Sequence, residues 1–342
     1  MKSIALAVSL LLGTAALAGD ASPLMVQRGT LVLDESFSGD LDPNRWTVAI
    51  GQWQVEDGRL VGTERPADQH AAVIKTPFTN TTAVVQFSFM LKGQAGFHFS
   101  INDAGGHNCR IVVRADAVLM RKDLDKKDPR SYAPVLDEAG AALAPDTWHT
   151  MVVELNGAEM LARIDETLVL YGTHPGINQD KKDFGFPVTG TALFDNVKIW
   201  NATPQPAWPA EKAKLLATLA ARPAIDRSGN PTEAFQVAEV KARDRLLKSD
   251  AQFNSLIDAR AAVQQAIAKA FPVVNRKGPK ADAEKKRLAS DDAQYKKLTA
   301  DLRLAQRQER EYLFAQAPEV KKAWESLAAA NRAKAKAAAG RN

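Results

Sequence analysis

The stretch GFHFSINDAGGHNCRIVVR, residues 96–114, constrains the fold more than any other part of the chain. Apolar and polar residues alternate along it, which is typical of a β-strand with one buried face. The segment from Asp103 to Gly106 interrupts the alternation and is typical of a turn. The stretch therefore predicts an antiparallel hairpin with these residues on its core face: Phe97, Phe99, Ile101, Cys109, Ile111 and Val113.

The opposite face of the predicted hairpin is polar. We call its side chains the polar row: His98, Ser100, Asn102, Asn108, Arg110 and Arg114. A preceding strand from Val84 to Leu91 alternates in the same way, and it is expected to extend the polar row with Gln86 and Ser88. Polar side chains on a rigid sheet suit a hydroxylated ligand or a reacting oxyanion. A solvated sheet surface is the alternative interpretation.

Other segments between residues 29 and 202 also predict short antiparallel strands. The sequences WQVEDGRL and WHTMVVELNG alternate around Asp-Gly and Asn-Gly turns, which favour hairpins. Roughly ten such strands, without helix-length periodicity between them, predict a two-sheet sandwich or jelly roll over 29–202.

The C-terminal part has a different composition. A proline-spaced segment at 203–208 predicts a stiff linker, and strong helix formers follow over 209–338. A weak repeat begins at Asp250, Asp292 and Ala317, with helix N-caps expected at Ser249 and at Ser290 or Asp291. The pattern predicts amphipathic helices that pair as hairpins or short coiled coils.

Charge separates the same two parts. Residues 209–342 contain 27 Lys and Arg against 16 Asp and Glu, whereas residues 1–208 contain 18 against 24. The basic helices predict a solvated lysine-rich face or, alternatively, a contact with an acidic envelope polymer or with partner helices. Nucleic acid is disfavoured because stacking aromatics are not interleaved with the basic residues and because export is predicted.

The first eighteen residues predict a secretory signal peptide. Met1 and Lys2 precede a short apolar run, and the small-residue stretch ends at Ala18. The run is too short for a transmembrane anchor, so a periplasmic or secreted protein is expected. The single cysteine, Cys109, excludes an intramolecular disulfide and is expected to be an inert buried thiol.

Five segments in order, LDESFSGDLDPNRW, WQVEDGRL, DTWHTMVVELNG, ARIDETLVLYG and FDNVKIW, resemble the concanavalin A-like sandwich. They are most similar to the 3-keto-disaccharide hydrolase domain family and related laminin-G-like modules of secreted bacterial proteins. The resemblance covers about Leu31 to Trp200 and implies a carbohydrate-active domain. Family 16 glycoside hydrolases share this fold, but their E-x-D-x-x-E acid run does not occur in this sequence, so hydrolysis by paired acids is unsupported.

A 3-keto sugar needs only one base and one electrophile, because the keto group acidifies the neighbouring C–H. From the strand geometry, His98 is the predicted base, and Arg110 or Arg114 is predicted to stabilise the enolate. Asp103 and His107 are predicted to hold a metal at the end of the hairpin.

Two more expectations concern residues outside the hairpin. Trp53 is predicted to be an aromatic platform for a sugar ring. Asp195 in FDNVKIW resembles a structural calcium ligand of some concanavalin A-like enzymes, although a hydrogen bond to local backbone is the alternative. The sequence therefore predicts a secreted protein that binds, and in one version cleaves, glycosides or 3-keto-glycosides. The competing hypothesis is a non-catalytic cell-envelope scaffold or protein-interaction module.

Overall fold

The structure is a computed structural model that describes residues 20–276 and 278–339. An antiparallel β-sandwich is followed by helices, so the predicted fold class is confirmed. The predicted signal peptide, residues 1–18, lies outside the described residues. Within the described part of the chain, no helix has the length and apolar character needed to cross a membrane.

The β part is built from thirteen strands in the described chain. They are β1 Val26–Glu35, β2 Thr47–Ile50, β3 Gln52–Glu56, β4 Arg59–Thr63, β5 Ala72–Pro77, β6 Thr82–Asp103, β7 Gly106–Val113, β8 Ala117–Lys122, β9 Val135–Gly140, β10 Trp148–Asn156, β11 Glu159–Ile164, β12 Leu168–Thr173 and β13 Lys181–Pro204.

Two long strands, β6 and β13, pass through both layers of the sandwich. The first half of β6 pairs with β10 and the second half of β13, while the second half of β6 pairs with β7 and the first half of β13. Gly93 in β6 has a φ of +56° and Gly190 in β13 a φ of +74°. Glycine adopts such angles without steric cost. Both glycines lie where the pairing of β6 with β13 is irregular, so both strands bend there from one sheet into the other.

The first sheet has the order β12-β11-β10-β6-β13-β4-β3, and β1 also pairs with β13. The second sheet has the order β9-β8-β7-β6-β13-β5-β2. Their inner faces meet in an aromatic core, where the ring centroids of Phe87 and Phe99 lie 5.6 Å apart and those of Phe186 and Phe194 4.2 Å apart. The two sheets therefore share one core.

The predicted core face of the hairpin is confirmed. Its six apolar side chains are all 1 % exposed or less: Phe97, Phe99, Ile101, Cys109, Ile111 and Val113. Burial raises the pKa of the Cys109 thiol to about 12, which keeps this side chain protonated and unreactive, as expected.

The outer faces of the two sheets differ. The first is covered by residues 20–25, whose backbone N–H groups at Leu24 and Met25 donate to the fully buried carboxylate of Glu154, and by Trp208, which packs on Tyr171. The second sheet carries polar side chains on its outer face, and this face is where a ligand could reach the sandwich.

Six helices follow the sandwich in the described chain: α1 Trp208–Ala220, α2 Pro231–Ser249, α3 Ala251–Ala270, α4 Pro279–Asp291, α5 Ala293–Gln316 and α6 Pro318–Ala339. We call α2 to α6 the helical arm. In it α2 packs along α6 and α3 along α5. The junctions of α2 with α3 and of α5 with α6 meet in one small core, which contains Leu246, Phe253, Leu313, Ala317 and Val320.

The three copies of the sequence repeat each begin at the start of a helix. Asp250 caps α3 by accepting from Phe253 N at 2.8 Å, and Asp292 caps α5 by accepting from Tyr295 N at 2.8 Å. The predicted caps at Ser249 and at Ser290 or Asp291 are therefore wrong by one or two positions. A carboxylate at the first repeat position does the capping in both cases.

The segment 203–208 is held against the sandwich and is not the free spacer that its prolines predict. Strand β13 continues to Pro204, Gln205 N donates to Met25 O at 3.0 Å, and α1 already begins at Trp208. Trp208 is only 4 % exposed. The helical arm also contacts the sandwich directly, because Tyr132 Oη donates to Asp244 Oδ1 at 2.6 Å.

Candidate functional site

A row of paired residues crosses five strands on the outer face of the second sheet. In register these are Lys75, Gly185, Ser100, Arg110 and Arg121. Side chains of paired residues lie side by side on a sheet, so Gly185 and Ser100 leave a depression between the longer neighbours. The depression is a cavity of about 190 Å³, which we call the Ser100 pocket, lined by His70, Ala71, Val73, Lys75, His98, Ser100, Asn102, His107, Arg110, Gly185 and Pro187.

Ser100 forms part of the floor of this pocket. The residue is 1 % exposed, and no protein group among the described residues makes a hydrogen bond to its Oγ. A buried hydroxyl without a partner costs about 1–3 kcal/mol, so such groups are rare without a reason. Ser100 lines the pocket, so this hydroxyl is an unused hydrogen-bonding group beside the space that a ligand would fill.

Arg110 and His98 are held in one hydrogen-bonded chain. Arg110 Nε donates to Asp123 Oδ2 at 2.8 Å, and Arg110 Nη1 lies 3.3 Å from His98 Nδ1. A guanidinium can only donate, so Nδ1 is the acceptor and the ring proton of His98 lies on Nε2. Burial, together with the positive charge of Arg110, lowers the pKa of His98 to about 4. His98 is therefore a neutral N–H donor at neutral pH.

This state of His98 does not favour the predicted role as a general base. A base works best with a pKa near the pH of the reaction, and its lone pair must reach the substrate. His98 has a pKa of about 4, and its lone pair on Nδ1 is directed to Arg110. Catalysis by His98 and Arg110 stays a prediction, while their geometry favours hydrogen bonding to a ligand.

Asn102 and His107 provide a hydrogen-bond acceptor, in contrast to the donor on His98. Asn102 Nδ2 donates to Asp183 Oδ1 at 2.5 Å, so its Oδ1 accepts from His107 Nδ1 at 2.7 Å. The lone pair of the His107 ring is then on Nε2. Burial, followed by the charge of Arg110, lowers the pKa of His107, which keeps the ring neutral. The two histidines thus present a donor and an acceptor, which is what sugar hydroxyls pair with.

Gln86 and Ser88 do not extend the polar row, so this prediction is wrong. They lie on the first half of β6, before the bend at Gly93, and therefore face outward from the other sheet. Gln86 Oε1 accepts from Ala21 N and from Arg28 Nη2, both at 3.0 Å. Gln86 is thus occupied in holding the N-terminal segment.

Asn108 and Arg114 also lie outside the pocket. A β-bulge pairs Asn102 with His107, so Asn108 is the extra residue. Asn108 is fully buried, and its Nδ2 donates to Gly176 O at 2.9 Å. Arg114 follows the end of β7 and donates to Glu233 of the helical arm at 2.7 Å. The predicted enolate stabiliser at Arg114 is therefore a contact between the sandwich and the arm.

Trp53 is not a platform beside the polar row. It lies on β3 of the first sheet, where its ring stacks on Phe194 at 6.3 Å and its Nε1 donates to Ile50 O at 3.2 Å. The side chain supports the aromatic core.

The predicted metal ligands do not converge. Within residues 20–276 and 278–339, no three side chains of His, Cys, Asp and Glu gather around one point. The Asp103 carboxylate instead accepts from Gly105 N at 2.7 Å and from Asn108 Nδ2 at 2.9 Å, while Asp195 accepts from Asn196 N at 2.7 Å. For Asp195 this is the alternative interpretation, a hydrogen bond to local backbone. The Asp103 and Asp195 carboxylates are thus engaged within the protein, and a metal at Asp103 and His107 or calcium at Asp195 stays a prediction.

Several lining residues were missed because they belong to strands remote in sequence. The most informative are Lys75 of β5 and Gly185 of β13. Gly185 had a signal in the sequence, since it stands between two inward phenylalanines in DFGFPV and so occupies an outward position without a side chain. Asp123, which holds Arg110, lies in a charged segment without periodicity, and nothing in the sequence indicated it.

A larger cleft of about 930 Å³ adjoins the pocket at His107 and Arg110. Its walls are the hairpin tip, the loop containing Tyr132, and two residues of the helical arm, Leu247 and Asn254. The helical arm therefore forms one wall of the groove that leads out of the Ser100 pocket.

No protein-family model matches the chain, and no curated protein matches it. Among solved structures, the carbohydrate-binding module CBM66 from Bacillus subtilis is 18% identical with a TM-score of 0.38, covering 46% of this chain and 95% of that chain. A protein with a galectin-like fold from Bacillus subtilis is 12% identical with a TM-score of 0.41, covering 53% and 100% respectively.

The endo-β-1,3(4)-glucanase SCLam of family GH16 is 12% identical with a TM-score of 0.39, covering 52% of this chain and 96% of that chain. All three matches cover about half of this chain. Similarity at this level does not assign the chain to a family and identifies no ligand.

Proposed function

We propose that this protein binds saccharides in the Ser100 pocket. The observation that carries the proposal is Ser100, a lining residue of an open cavity, whose buried Oγ has no hydrogen-bond partner among the described residues. A sugar hydroxyl would supply that partner. The N–H of His98 and the lone pair of His107 would bind further hydroxyls, with the ring against Val73 and Pro187.

The size of the pocket fits one sugar ring. Its volume of about 190 Å³ is below the roughly 300–1,000 Å³ of pockets for drug-sized ligands. At about 0.3 kcal/mol per heavy atom, a hexose would bind with a dissociation constant of about 2 mM. The adjoining cleft would accommodate further units, so oligosaccharides should bind more tightly.

Binding rather than cleavage is the activity that the pocket supports best. Among the described residues that line it, none is Asp or Glu, whereas glycoside hydrolysis by the common mechanisms needs two carboxyl groups. Cleavage of 3-keto-glycosides would require a base other than the neutral, Arg110-bound His98 described above. We also propose that the protein acts in the periplasm or outside the cell, on the basis of the predicted signal peptide.

The test is calorimetric titration of the full chain with a panel of neutral mono- and oligosaccharides. Ser100→Val fills the depression and removes the hydroxyl, so we expect affinity to fall by tenfold or more. Ser88→Val is the matched control, because Ser88 lies on the same strand but faces outward from the other sheet. Its affinity should equal that of the wild type.

Two outcomes would contradict the proposal. One is the absence of binding to any saccharide on the panel, which would favour the alternative of a protein-interaction scaffold. The other is equal loss of affinity in Ser100→Val and Ser88→Val, which would place the binding site elsewhere. Turnover of a 3-keto-glucoside, measured in the same preparation with and without a chelator, would separate binding from cleavage.

A further inference from the structure

The charges around the Ser100 pocket are unbalanced. Lys75 and Arg110 line it from opposite sides, and no acidic side chain of the described residues lines it with them. Arg110 is paired with Asp123 at 2.8 Å, but Asp123 also pairs with Arg121 at 3.3 Å. One carboxylate thus serves two guanidinium groups, and the charge of Lys75 adds to the positive excess.

Lys75 lines the pocket next to Gly185. A Cβ built on Gly185 would lie 3.1 Å from Lys75 Cγ, so the stem of Lys75 runs over the glycine that separates it from Ser100. A side chain at position 185 would displace that stem. Gly185 stands between Lys75 and Ser100 in the pairing of the strands and puts no side chain between them.

Asp183 does not line the pocket, and its carboxylate is already engaged by Asn102 Nδ2 at 2.5 Å. The pocket thus combines an ammonium group, a hydroxyl and a guanidinium edge, which are donors suited to an anionic oxygen pair.

We propose that the saccharide bound in the Ser100 pocket is a uronic acid, whose carboxylate lies between Lys75 Nζ and Ser100 Oγ. This inference rests on the proposed saccharide binding and adds the chemical class of the sugar. Hydrogen bonds to charged groups are stronger than those between neutral groups, so a uronate should bind about tenfold more tightly than the matching neutral sugar.

The test compares matched pairs of methyl glycosides, the glucoside with the glucuronide and the galactoside with the galacturonide, by calorimetric titration of the full chain. Lys75→Met keeps the apolar stem and removes the charge. We expect this variant to lose most of the preference for the uronate, because the Arg110 guanidinium that remains is paired with Asp123. Lys182→Met is the matched control, because Lys182 is exposed and does not line the pocket. It should keep the wild-type preference, and added salt should weaken only the binding of the uronates.

The outcomes separate the two proposals. Equal affinity for neutral and acidic sugars in the wild type would overturn the uronate inference and leave saccharide binding intact. A preference of unchanged size in Lys75→Met would also overturn it. If no member of any pair binds to a wild-type chain with its native circular dichroism spectrum, saccharide binding itself is wrong.

Discussion

At Ser100 the chain keeps a buried hydroxyl that no described protein group satisfies. Ser100→Ala removes this hydroxyl without leaving a large cavity. We expect the free energy of unfolding to stay constant or to rise by about 1 kcal/mol, while saccharide affinity falls by roughly fivefold. Urea denaturation and calorimetric titration of the same preparation measure the two effects.

Ser88→Ala serves as the control and should not change saccharide affinity. A loss of stability above about 1 kcal/mol in Ser100→Ala would instead show that the hydroxyl has a stabilising role in the folded protein.

The lowered pKa of His98 predicts how stability depends on pH. The pKa of an unfolded histidine is about 6.5, and that of folded His98 is about 4. Between these values the unfolded chain binds a proton that the folded chain does not, so stability should fall as the pH falls from 6.5 to 4, by up to about 3 kcal/mol. His98→Gln keeps an acceptor for Arg110 but does not titrate, and it should lack this part of the pH dependence. Urea denaturation across this range checks it, and parallel curves for the two proteins would contradict it.

The side of the sheet on which a residue lies was predictable where it depends only on the alternation within one strand. Alternation placed His98, Ser100 and Arg110 together on one face, since each is outward on β6 or β7. It failed at Asn108, because a β-bulge adds one residue and no local pattern indicated it. It could not find Lys75, which is next to the site only through pairing with a strand more than a hundred residues later.

Gly190 shows what the bends in the long strands require. Its φ of +74° is unfavourable for other residues, and an added Cβ would lie 3.2 Å from the Cβ of Ala95. We expect Gly190→Ala to lower the free energy of unfolding by about 1–2 kcal/mol. Gly39→Ala is the control, since nothing lies within 4 Å of its added Cβ and its φ is not in the strained range.

Thermal or urea denaturation of both variants tests this expectation. Equal stability of Gly190→Ala and Gly39→Ala would mean that β13 can turn from one sheet to the other without a glycine.

For the secondary-structure elements, the sequence predicted where strands occur better than it predicted which of them are continuous. The sequence patterns 84–91 and 96–103 predict two strands, and the structure joins them into β6 across Gly93. A glycine between two alternating runs is compatible with a turn and with a bend, and only the pairing partner β13 decides between them. Helices were found because helix-forming composition and apolar spacing are local properties of the chain.

Trp208 connects the two parts of the whole molecule. It is 4 % exposed and packs on Tyr171 with 5.8 Å between ring centroids. We expect Trp208→Ala to reduce the free energy of unfolding by about 3 kcal/mol, because a large aromatic group leaves a cavity. Proteolysis between the sandwich and the arm should accelerate. Trp324→Ala is the control, since Trp324 is 39 % exposed on α6.

Limited proteolysis followed by mass spectrometry locates the cuts, and denaturation gives the stability. If the wild type were cleaved at 203–208 as fast as Trp208→Ala, this segment would be the free linker that its prolines predict.

For the whole molecule, the order of a sandwich followed by helices was predictable, but the way they fit together was not. Patterning reports which residues are buried within one element. The contacts between Tyr132 and Asp244, and between Arg114 and Glu233, join residues more than a hundred positions apart. Such long-range pairs make the arm a wall of the groove beside the pocket.

The two strands that run through both sheets have a mechanical consequence. Layers joined only by side chains could slide past one another, whereas here continuous backbone crosses from one to the other at Gly93 and Gly190. The surface that a sugar would meet is therefore preorganised, and the protein should lose little conformational entropy on binding. Association should then be governed by diffusion and water displacement, with no slow rearrangement of the protein before the complex forms.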